Sequence, residues 1–251
     1  MCGRYSLLTN PEELAEFLGV LELGVFPPRY NIAPTQPILT VGINAAGERE
    51  GQLVRWGLIP HWVKDPDDFT LLLNARSETI TEKASFKTAI RHRRVLIPAT
   101  GFYEWNRPDN KSFPKQAYWI RPSHGGTFAF GGIAETWMGK DGSEMDSAAI
   151  ITTSSNSQIG NIHHRMPVVI RPEDFDRWLD CKTQEPRDVA DLMQPVENGF
   201  FEAIAVSDRV NKVTNTGPEI QEPGLAEPIV KAEKKKTAPK PKPNDGQMDL
   251  F

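Results

Sequence analysis

The stretch that decides the fold of this chain is Arg94-Val95-Leu96-Ile97-Pro98-Ala99-Thr100-Gly101-Phe102-Tyr103-Glu104-Trp105. Two runs within it, Arg94–Ile97 and Phe102–Trp105, are rich in the branched and aromatic residues that strands favour. Pro98 and Gly101 stand between the runs, and both residue types interrupt regular structure. The stretch therefore predicts two short strands in succession.

Similar short segments recur on both sides of this stretch, which makes strands the dominant element of the chain. These segments are Pro37–Ile43, Gln52–Trp56, Ala117–Arg121, Thr127–Trp137, Ala148–Ser154, Val168–Ile170 and Phe201–Val206. Between two of them, Gly139-Lys140-Asp141-Gly142 is a turn sequence typical of a β-hairpin.

Helices are predicted at a few dispersed places. Asn10-Pro11-Glu12-Glu13 combines a capping side chain, a proline at the first helical position and acids in the first turn, and Gly19 can end that helix. Two more helices are predicted from Thr81 to Arg91 and from Pro172 through Leu179. Many short strands with a few helices predict an α+β domain built on antiparallel sheet.

The composition is that of an ordinary folded domain. The 251 residues are 39% hydrophobic and 25% charged, which suits one large domain or two small ones. Two cysteines, Cys2 and Cys181, do not make a disulfide framework. The sequence shows neither an apolar run of membrane-spanning length nor a signal peptide, so we expect a cytoplasmic protein without a membrane partner.

The net charge of −4 argues against a protein that coats nucleic acid non-specifically, although it permits a local basic groove. The residues that could line such a groove are Arg4, Arg29, Arg55, Arg76 and the run Arg91-His92-Arg93-Arg94. For most of these arginines, a solvated surface charge is the simpler interpretation.

The second residue of the chain is a cysteine. Methionine followed by a small residue is the pattern for removal of Met1, so we expect the mature chain to begin at Cys2. An N-terminal cysteine carries an α-amine of pKa about 7.7–8.0 and a thiol of pKa about 8.5 on adjacent carbons. The amine can condense with an aldehyde, and the thiol can then close a five-membered thiazolidine ring. The alternative is a frayed terminus at which the cysteine has no role.

Two further segments offer polar groups that could work with Cys2. The cluster Asn74-Ala75-Arg76-Ser77-Glu78-Thr79 follows the apolar run Leu71–Leu73, which we interpret as a strand. A strand end is a common place for a site, although a turn with a capping asparagine explains the same residues. Glu104 shares a strand face with Phe102, and a desolvated carboxyl suits general acid–base catalysis. A glutamate on an exposed face fits this segment equally well.

A titratable pair, His163 and His164, precedes a predicted strand. Zinc is a poor interpretation of this pair, because the chain has no Cys-x-x-Cys and no spaced second histidine pair. We therefore expect no metal and no cofactor.

Together these segments resemble the signature set of the SOS response-associated peptidase (SRAP) family. The motifs occur in the family's order over most of residues 2–218 and are Met1-Cys2-Gly3-Arg4, Asn31-Ile32-Ala33-Pro34, Trp56-Gly57, Asn74-Ala75-Arg76-Ser77-Glu78-Thr79, Ile97-Pro98-Ala99-x-Gly101-Phe102-Tyr103-Glu104-Trp105 and His163-x-Arg165-Met166-Pro167. The resemblance implies one domain, residues 1–228, with a β-barrel-like core. It also implies a protein that binds abasic sites in single-stranded DNA and cross-links to them.

The resemblance also assigns chemical roles. Cys2 matches the nucleophile, Glu104 the acid–base group and His163 the proton-transfer histidine. Asn74 matches the asparagine that positions the N-terminus and the sugar. His164 occupies a variable slot of the motif, so His163 is preferred for the role.

Two arginines complete the implied site, since Arg4 and Arg76 match arginines that face DNA phosphates. The resemblance places the protein in the DNA damage response, and we expect it at the nucleoid. Nothing in the sequence requires more than a monomer.

Two competing functions remain open. One is a cysteine peptidase that removes its own N-terminal residue, the older proposal recorded in the family name, because Cys, His, Glu and Asn also suit a thiol protease. The other is a non-catalytic DNA-binding module recruited by its tail. A peptidase should cleave other peptides, whereas covalent capture needs an aldehyde.

The composition changes near residue 228, and residues 229–251 predict a disordered tail rich in lysine and proline. Its end, Gln247-Met248-Asp249-Leu250-Phe251, resembles the motif with which bacterial proteins bind the sliding clamp. Gln247 offers an amide for hydrogen bonds, while Leu250 and Phe251 can fill an apolar pocket. A chance match of so short a motif is the alternative.

Overall fold

The computed structural model describes residues 2–106 and 115–225. Met1 and the predicted tail at 229–251, with Gln247, Leu250 and Phe251, lie outside the described residues. The strands described are β1 (Tyr5–Leu7), β2 (Arg29–Ile32), β3 (Pro37–Ile43), β4 (Arg49–Trp56), β5 (Asn74–Arg76), β6 (Arg94–Ala99), β7 (Gly101–Asn106), β8 (Gln116–Pro122), β9 (Phe128–Met138), β10 (Glu144–Ser154), β11 (Arg165–Pro167), β12 (Val169–Ile170) and β13 (Phe201–Val206). The α-helices described are α1 (Pro11–Leu18), α2 (Lys87–His92), α3 (Ser157–Gly160) and α4 (Phe175–Leu179).

A ring of strands forms the centre of the molecule. β4 pairs with β3, β3 with β6, β6 with β9, and β9 with β10, all antiparallel. A short parallel pairing between β10 and β4 closes the ring. Closure gives each of these strands two neighbours, so the barrel leaves none of them as an open edge.

A second, antiparallel sheet lies beside the barrel, in the order β13, β8, β7, β1, β2. The stretch from Arg94 to Trp105 supplies one strand to each sheet, because β6 belongs to the barrel and β7 to the second sheet. The chain changes sheets at Thr100, whose amide donates to the Ser6 carbonyl of β1 at 2.8 Å. The predicted α+β class, with a mostly antiparallel barrel-like core and a few peripheral helices, is confirmed.

The N-terminal strand is fixed by an aromatic anchor. Tyr5 is fully buried, and its ring makes edge contacts with Trp56 of the barrel at 5.3 Å and with Phe130 at 5.7 Å between centroids. Edge-to-face aromatic pairs add about 0.5–1.5 kcal/mol beyond the area that they bury. Tyr5 therefore holds β1 against the barrel only three residues after Cys2.

The predicted first helix is confirmed in detail. The Asn10 side chain accepts a hydrogen bond from the Glu13 amide at 2.8 Å, and Gly19 ends the helix in the left-handed region at φ 65°. Leu14 and Leu18 on one face are fully buried.

Other local predictions are wrong at their boundaries. The helix expected from Thr81 begins only at Lys87, because residues 81–86 form turns that place Phe86 in the core. The expected strand Leu71–Leu73 makes one isolated bridge at Leu72, and the true strand, β5, is Asn74–Arg76. No helix within the described ranges is long and apolar enough to cross a membrane.

Arg94 is neither a groove residue nor a solvated charge. It is 2% exposed, and its guanidinium donates to the backbone carbonyls of Trp178, Ile90, Asp180 and Gln184. Burial lowers its pKa. Arg94 thus supports the connection after α4 through hydrogen bonds, away from Cys2.

Candidate active site

Cys2 lies where the two sheets meet. In the antiparallel pair of β1 and β7, Tyr5 stands opposite Phe102. Extending this register by three residues places Cys2 beside the end of β7 that carries Glu104. Cys2 is fully buried, so the interpretation of a frayed terminus is wrong.

Asn74 holds the N-terminal strand from the barrel side. Its strand, β5, pairs in parallel with β10, and its Nδ2 donates to the carbonyl of Cys2 at 2.9 Å. The Oδ1 atom of Asn74 is buried and has no hydrogen-bond partner among the described residues. A buried acceptor without a donor costs about 1–3 kcal/mol, so this atom is ready to accept from an arriving N–H or O–H group.

Glu104 and His163 approach each other from different sheets. Glu104 is 3% exposed, which excludes the exposed-face interpretation, and its Oε1 lies 3.9 Å from His163 Nδ1. His163 precedes β11, which pairs with the end of β10 next to β5. His164 is exposed, and its ring stacks on that of His163 at 4.5 Å between centroids. The structure thus gives the contact with the carboxylate to His163.

The surroundings of Cys2 change the acidity of its thiol. Burial raises the pKa of the Cys2 thiol well above its ordinary value, and the nearby Glu104 carboxylate raises it further. In the described chain the thiol is therefore protonated at neutral pH, whereas its reference pKa predicts partial ionisation. Any reaction through this sulfur requires a base; Glu104 is a titratable neighbour of the thiol, and His163 lies 3.9 Å from Glu104.

The two arginines predicted to face phosphates differ in their surroundings. Arg76 alternates with buried Ala75 on β5, so it lies on the same strand face as Asn74, and it is exposed. Arg4 is half-buried, and its Nη1 donates to Asn31 Oδ1 and to the Val210 carbonyl, both at 2.8 Å. Burial lowers the pKa of Arg4. Arg76 is thus a solvent-facing cation, while Arg4 also orders the segment around Val210.

Two clefts of about 710 and 610 Å³ lie elsewhere on the molecule. The first lies over β3 and β4 beside α4, and the second is lined by Phe17, Phe128 and Phe200. Neither is lined by Cys2, Asn74, Glu104 or His163, although the titratable cluster is at Cys2. The titratable cluster at the sheet junction therefore lies outside both of these clefts.

Comparison with known proteins assigns the family. A family model described as SOS response associated peptidase (SRAP) matches residues 1–213. The chain belongs to the SRAP family. The resemblance inferred from the motifs is thereby confirmed.

Several SRAP relatives cover most of the chain. "Abasic site processing protein YoqW" of Bacillus subtilis (strain 168) is 39% identical over 225 residues, which are 88% of this chain and 99% of that protein. "Abasic site processing protein HMCES" of Mus musculus is 31% identical over 244 residues, which are 83% of this chain and 68% of that protein. A crystal structure of a Bacteroides thetaiotaomicron protein matches with a TM-score of 0.79 and 28% identity, covering 89% of this chain and 100% of that one.

The SRAP motifs that were separate in the sequence meet at one junction. Cys2 precedes β1 and Glu104 lies on β7, and both strands belong to the second sheet. Asn74 lies on β5 and His163 precedes β11, and both of these strands pair with β10. The basic run 91–94 is not part of this junction. Among the described residues, no group of three histidine, cysteine, aspartate or glutamate side chains could hold a metal ion.

Sequence reasoning missed two SRAP motif residues whose contacts shape the site. Asn31 is buried; it accepts from Arg4 and donates to the carbonyls of Lys212 and Asn215. Glu78 forms an ion pair with Arg165. Both residues stand inside motifs quoted above, so a buried polar partner could have been sought for each of them.

Proposed function

We propose that this chain processes abasic sites in single-stranded DNA by forming a covalent cross-link through Cys2 after removal of Met1. The observation that carries the proposal is the contact of Asn74 with Cys2 beside the Glu104–His163 pair. The relatives named above are called abasic site processing proteins, which supports the substrate class.

The proposed reaction follows from the groups at the junction. Removal of Met1 frees the α-amine of Cys2, which in the intact chain is part of a peptide bond. The amine adds to the C1′ aldehyde of the opened deoxyribose, and loss of one water gives an imine. The sulfur then bonds to the same carbon, the nitrogen takes up a proton, and a thiazolidine ring closes. The net change is aldehyde plus aminothiol giving thiazolidine plus water.

Proton transfer assigns roles to the two titratable neighbours. The carbinolamine needs an acid to expel water, and the thiol, whose pKa burial raises, needs a base before it can add to the imine. Glu104 Oε1 and His163 Nδ1 lie 3.9 Å apart, so these two groups can exchange the protons through one bridging water or after a small closure on the bound DNA. An imine is also the intermediate of lyase chemistry, so the same groups can assist reversal.

DNA binding in this proposal depends on the backbone and not on bases. The exposed Arg76 lies on the strand face of Asn74 and supplies a phosphate contact, and the half-buried Arg4, two residues after Cys2, adds a second positive charge. Phosphate contacts position nucleic acid without reading its sequence. An abasic nucleotide has no base to unstack, so presenting it costs less than flipping an intact one. The cross-link would shield the lesion at the nucleoid during the DNA damage response.

The decisive experiment is the mass of the purified mature chain after incubation with abasic single-stranded DNA. We expect a species equal to protein plus DNA minus one water. A matched oligonucleotide with a tetrahydrofuran in place of the sugar has no aldehyde and should give no adduct. If both oligonucleotides leave the protein mass unchanged, covalent capture is wrong.

The same preparation tests the competing functions. A thiol autopeptidase uses the same side chains, so removal of Met1 is compatible with both activities. Cleavage of an unrelated peptide by the mature chain would favour the peptidase. A non-catalytic binding module is favoured if the chain that retains Met1 binds abasic DNA as tightly as the trimmed chain. In that case the trimmed chain should also form no adduct.

We further propose that the tail binds the bacterial sliding clamp through Gln247, Leu250 and Phe251. The preceding lysine–proline segment of about 15 residues can span on the order of 45 Å if extended, so the domain could reach DNA beside a clamp. We expect a peptide of residues 240–251 to bind the cognate clamp with micromolar Kd. Leu250→Ala with Phe251→Ala should remove that binding and leave abasic capture unchanged. A calorimetric titration of intact protein that detects no binding would exclude this partner.

A further inference from the structure

An ion pair joins two motifs of the proposed site. Arg165 Nη1 and Nη2 donate to the two carboxylate oxygens of Glu78 at 2.6 and 2.9 Å. Nη2 also donates to the Thr152 carbonyl of β10 at 2.6 Å. Arg165 is 8% exposed, and its hydrogen bonds lower the pKa of Glu78. The pair therefore ties the start of β11 to the end of β5 across β10.

The backbone of Arg165 controls the ring of His163. The Arg165 N–H lies 3.0 Å from His163 Nδ1, and the Arg165 carbonyl lies 3.1 Å from the same nitrogen. A backbone N–H can only donate, so this contact favours the neutral ring that has Nδ1 as acceptor and its proton on Nε2, while in the other neutral tautomer Nδ1–H would donate to the carbonyl. When the ring is protonated, the carbonyl becomes the partner of Nδ1.

Resting on the proposed function, we propose that Glu78 is a positioning residue that acts through Arg165 to fix the orientation and tautomer of His163. The bidentate pair has the planar geometry that arginine and carboxylate favour, which restricts Arg165 to one placement. The amide and the side chain belong to the same residue, so fixing the side chain of Arg165 also restricts its amide. The amide in turn holds the His163 ring with Nδ1 toward the backbone of Arg165, and this Nδ1 lies 3.9 Å from Glu104 Oε1. Glu78 itself does not touch the reacting atoms.

Loss of the carboxylate has a defined consequence. Glu78→Gln removes the negative charge that pairs with the mostly buried guanidinium of Arg165. The single amide oxygen that remains can accept only one of the two guanidinium hydrogen bonds. Arg165 can then turn toward other acceptors, and its amide moves away from His163 Nδ1. Small displacements of catalytic groups reduce rates by up to about 10²-fold, so we expect cross-link formation to slow by about 10-fold.

The first test reads the free protein and needs no DNA. With ¹⁵N-labelled histidine, we expect the nitrogen chemical shifts of His163 in the wild type to report a neutral ring protonated at Nε2. Glu78→Gln should mix in the Nδ1-protonated form, and Glu78→Asp, which keeps the charge, should restore part of the wild-type signal. Unchanged tautomer signals in Glu78→Gln would overturn the proposal.

The second test separates positioning from folding and from the proposed function. Single-turnover cross-linking at saturating abasic DNA should slow in Glu78→Gln, with the Kd for DNA within about 2-fold of the wild type. Glu82→Gln, at an exposed glutamate nearby, is the matched control and should leave the rate unchanged. In a His163→Ala background, Glu78→Gln should have no further effect. Equal slowing in both backgrounds would overturn the proposal, while a wild type that forms no adduct would refute only the function.

Discussion

Cys2→Ala is expected to abolish the abasic cross-link completely while leaving non-covalent DNA binding within a few-fold of the wild type. Cys2 supplies both bonds of the proposed ring, and alanine keeps the α-amine but removes the sulfur. An imine alone hydrolyses, so denaturation should leave free DNA. The measurement is a denaturing gel of mature protein incubated with abasic single-stranded DNA without reductant.

The Cys2→Ser variant separates the role of the amine from that of the sulfur. Its amine should still form a reversible imine, which borohydride converts into a stable amine, but without reductant no lasting adduct should remain. Cys181→Ala is the matched control, because it removes the other cysteine and should leave capture unchanged. A denaturation-stable adduct from Cys2→Ala, formed without any reductant, would refute the ring mechanism.

Glu104→Gln is expected to slow cross-link formation by about 10²–10⁴-fold, the usual contribution of a general acid–base. The amide keeps the shape of the side chain and cannot exchange a proton with His163. One effect opposes the loss, since the carboxylate charge also raises the pKa of the Cys2 thiol and its removal eases ionisation. Single-turnover rates at saturating DNA measure the balance, and the Kd should change only modestly.

A second buried glutamate provides the control for Glu104. Glu135 of β9 is 8% exposed and contacts His61 at 3.4 Å, away from Cys2. Glu135→Gln removes a carboxylate from a similarly buried place and should leave the capture rate close to that of the wild type. If Glu104→Gln also captured abasic DNA at the wild-type rate, Glu104 would have no role in proton transfer.

Much of the fold could be predicted from the sequence because local patterns agree with the final pairing. The capping residues around α1 and the strand β13 act over a few neighbours, so their bounds follow from local chemistry. The position of β5 cannot be predicted locally, because a three-residue strand exists only through its pairing with β10, which lies about 75 residues further along the chain. Thr81–Phe86 fails as a helix for a similar reason, since tertiary burial of Phe86 overrides its helical spacing.

The candidate site likewise has features that the sequence predicts and features that only the fold produces. Its residue types and motif order are visible in the sequence, so Cys2, Asn74, Glu104 and His163 could be named as candidates. The protonated state of the Cys2 thiol could not, because it results from burial and from a carboxylate about 100 residues away in sequence. Likewise Arg94 looks like part of a basic run, and only the fold surrounds it with carbonyls.

The dependence of the junction on β10 and β11 has a consequence for synthesis on the ribosome. Cys2 is among the first residues made, but the strands that surround it have all been synthesised only when the chain has reached Pro167 at the end of β11. At about 5–20 residues per second, the intervening 165 or so residues take roughly 10–30 s to translate. If Met1 is removed as the proposed function requires, the enzyme that trims it has this interval, while the terminus is accessible, before folding buries Cys2. Trimming of Met1 therefore competes with folding. Chains that fold before they are trimmed would carry a blocked amine at Cys2.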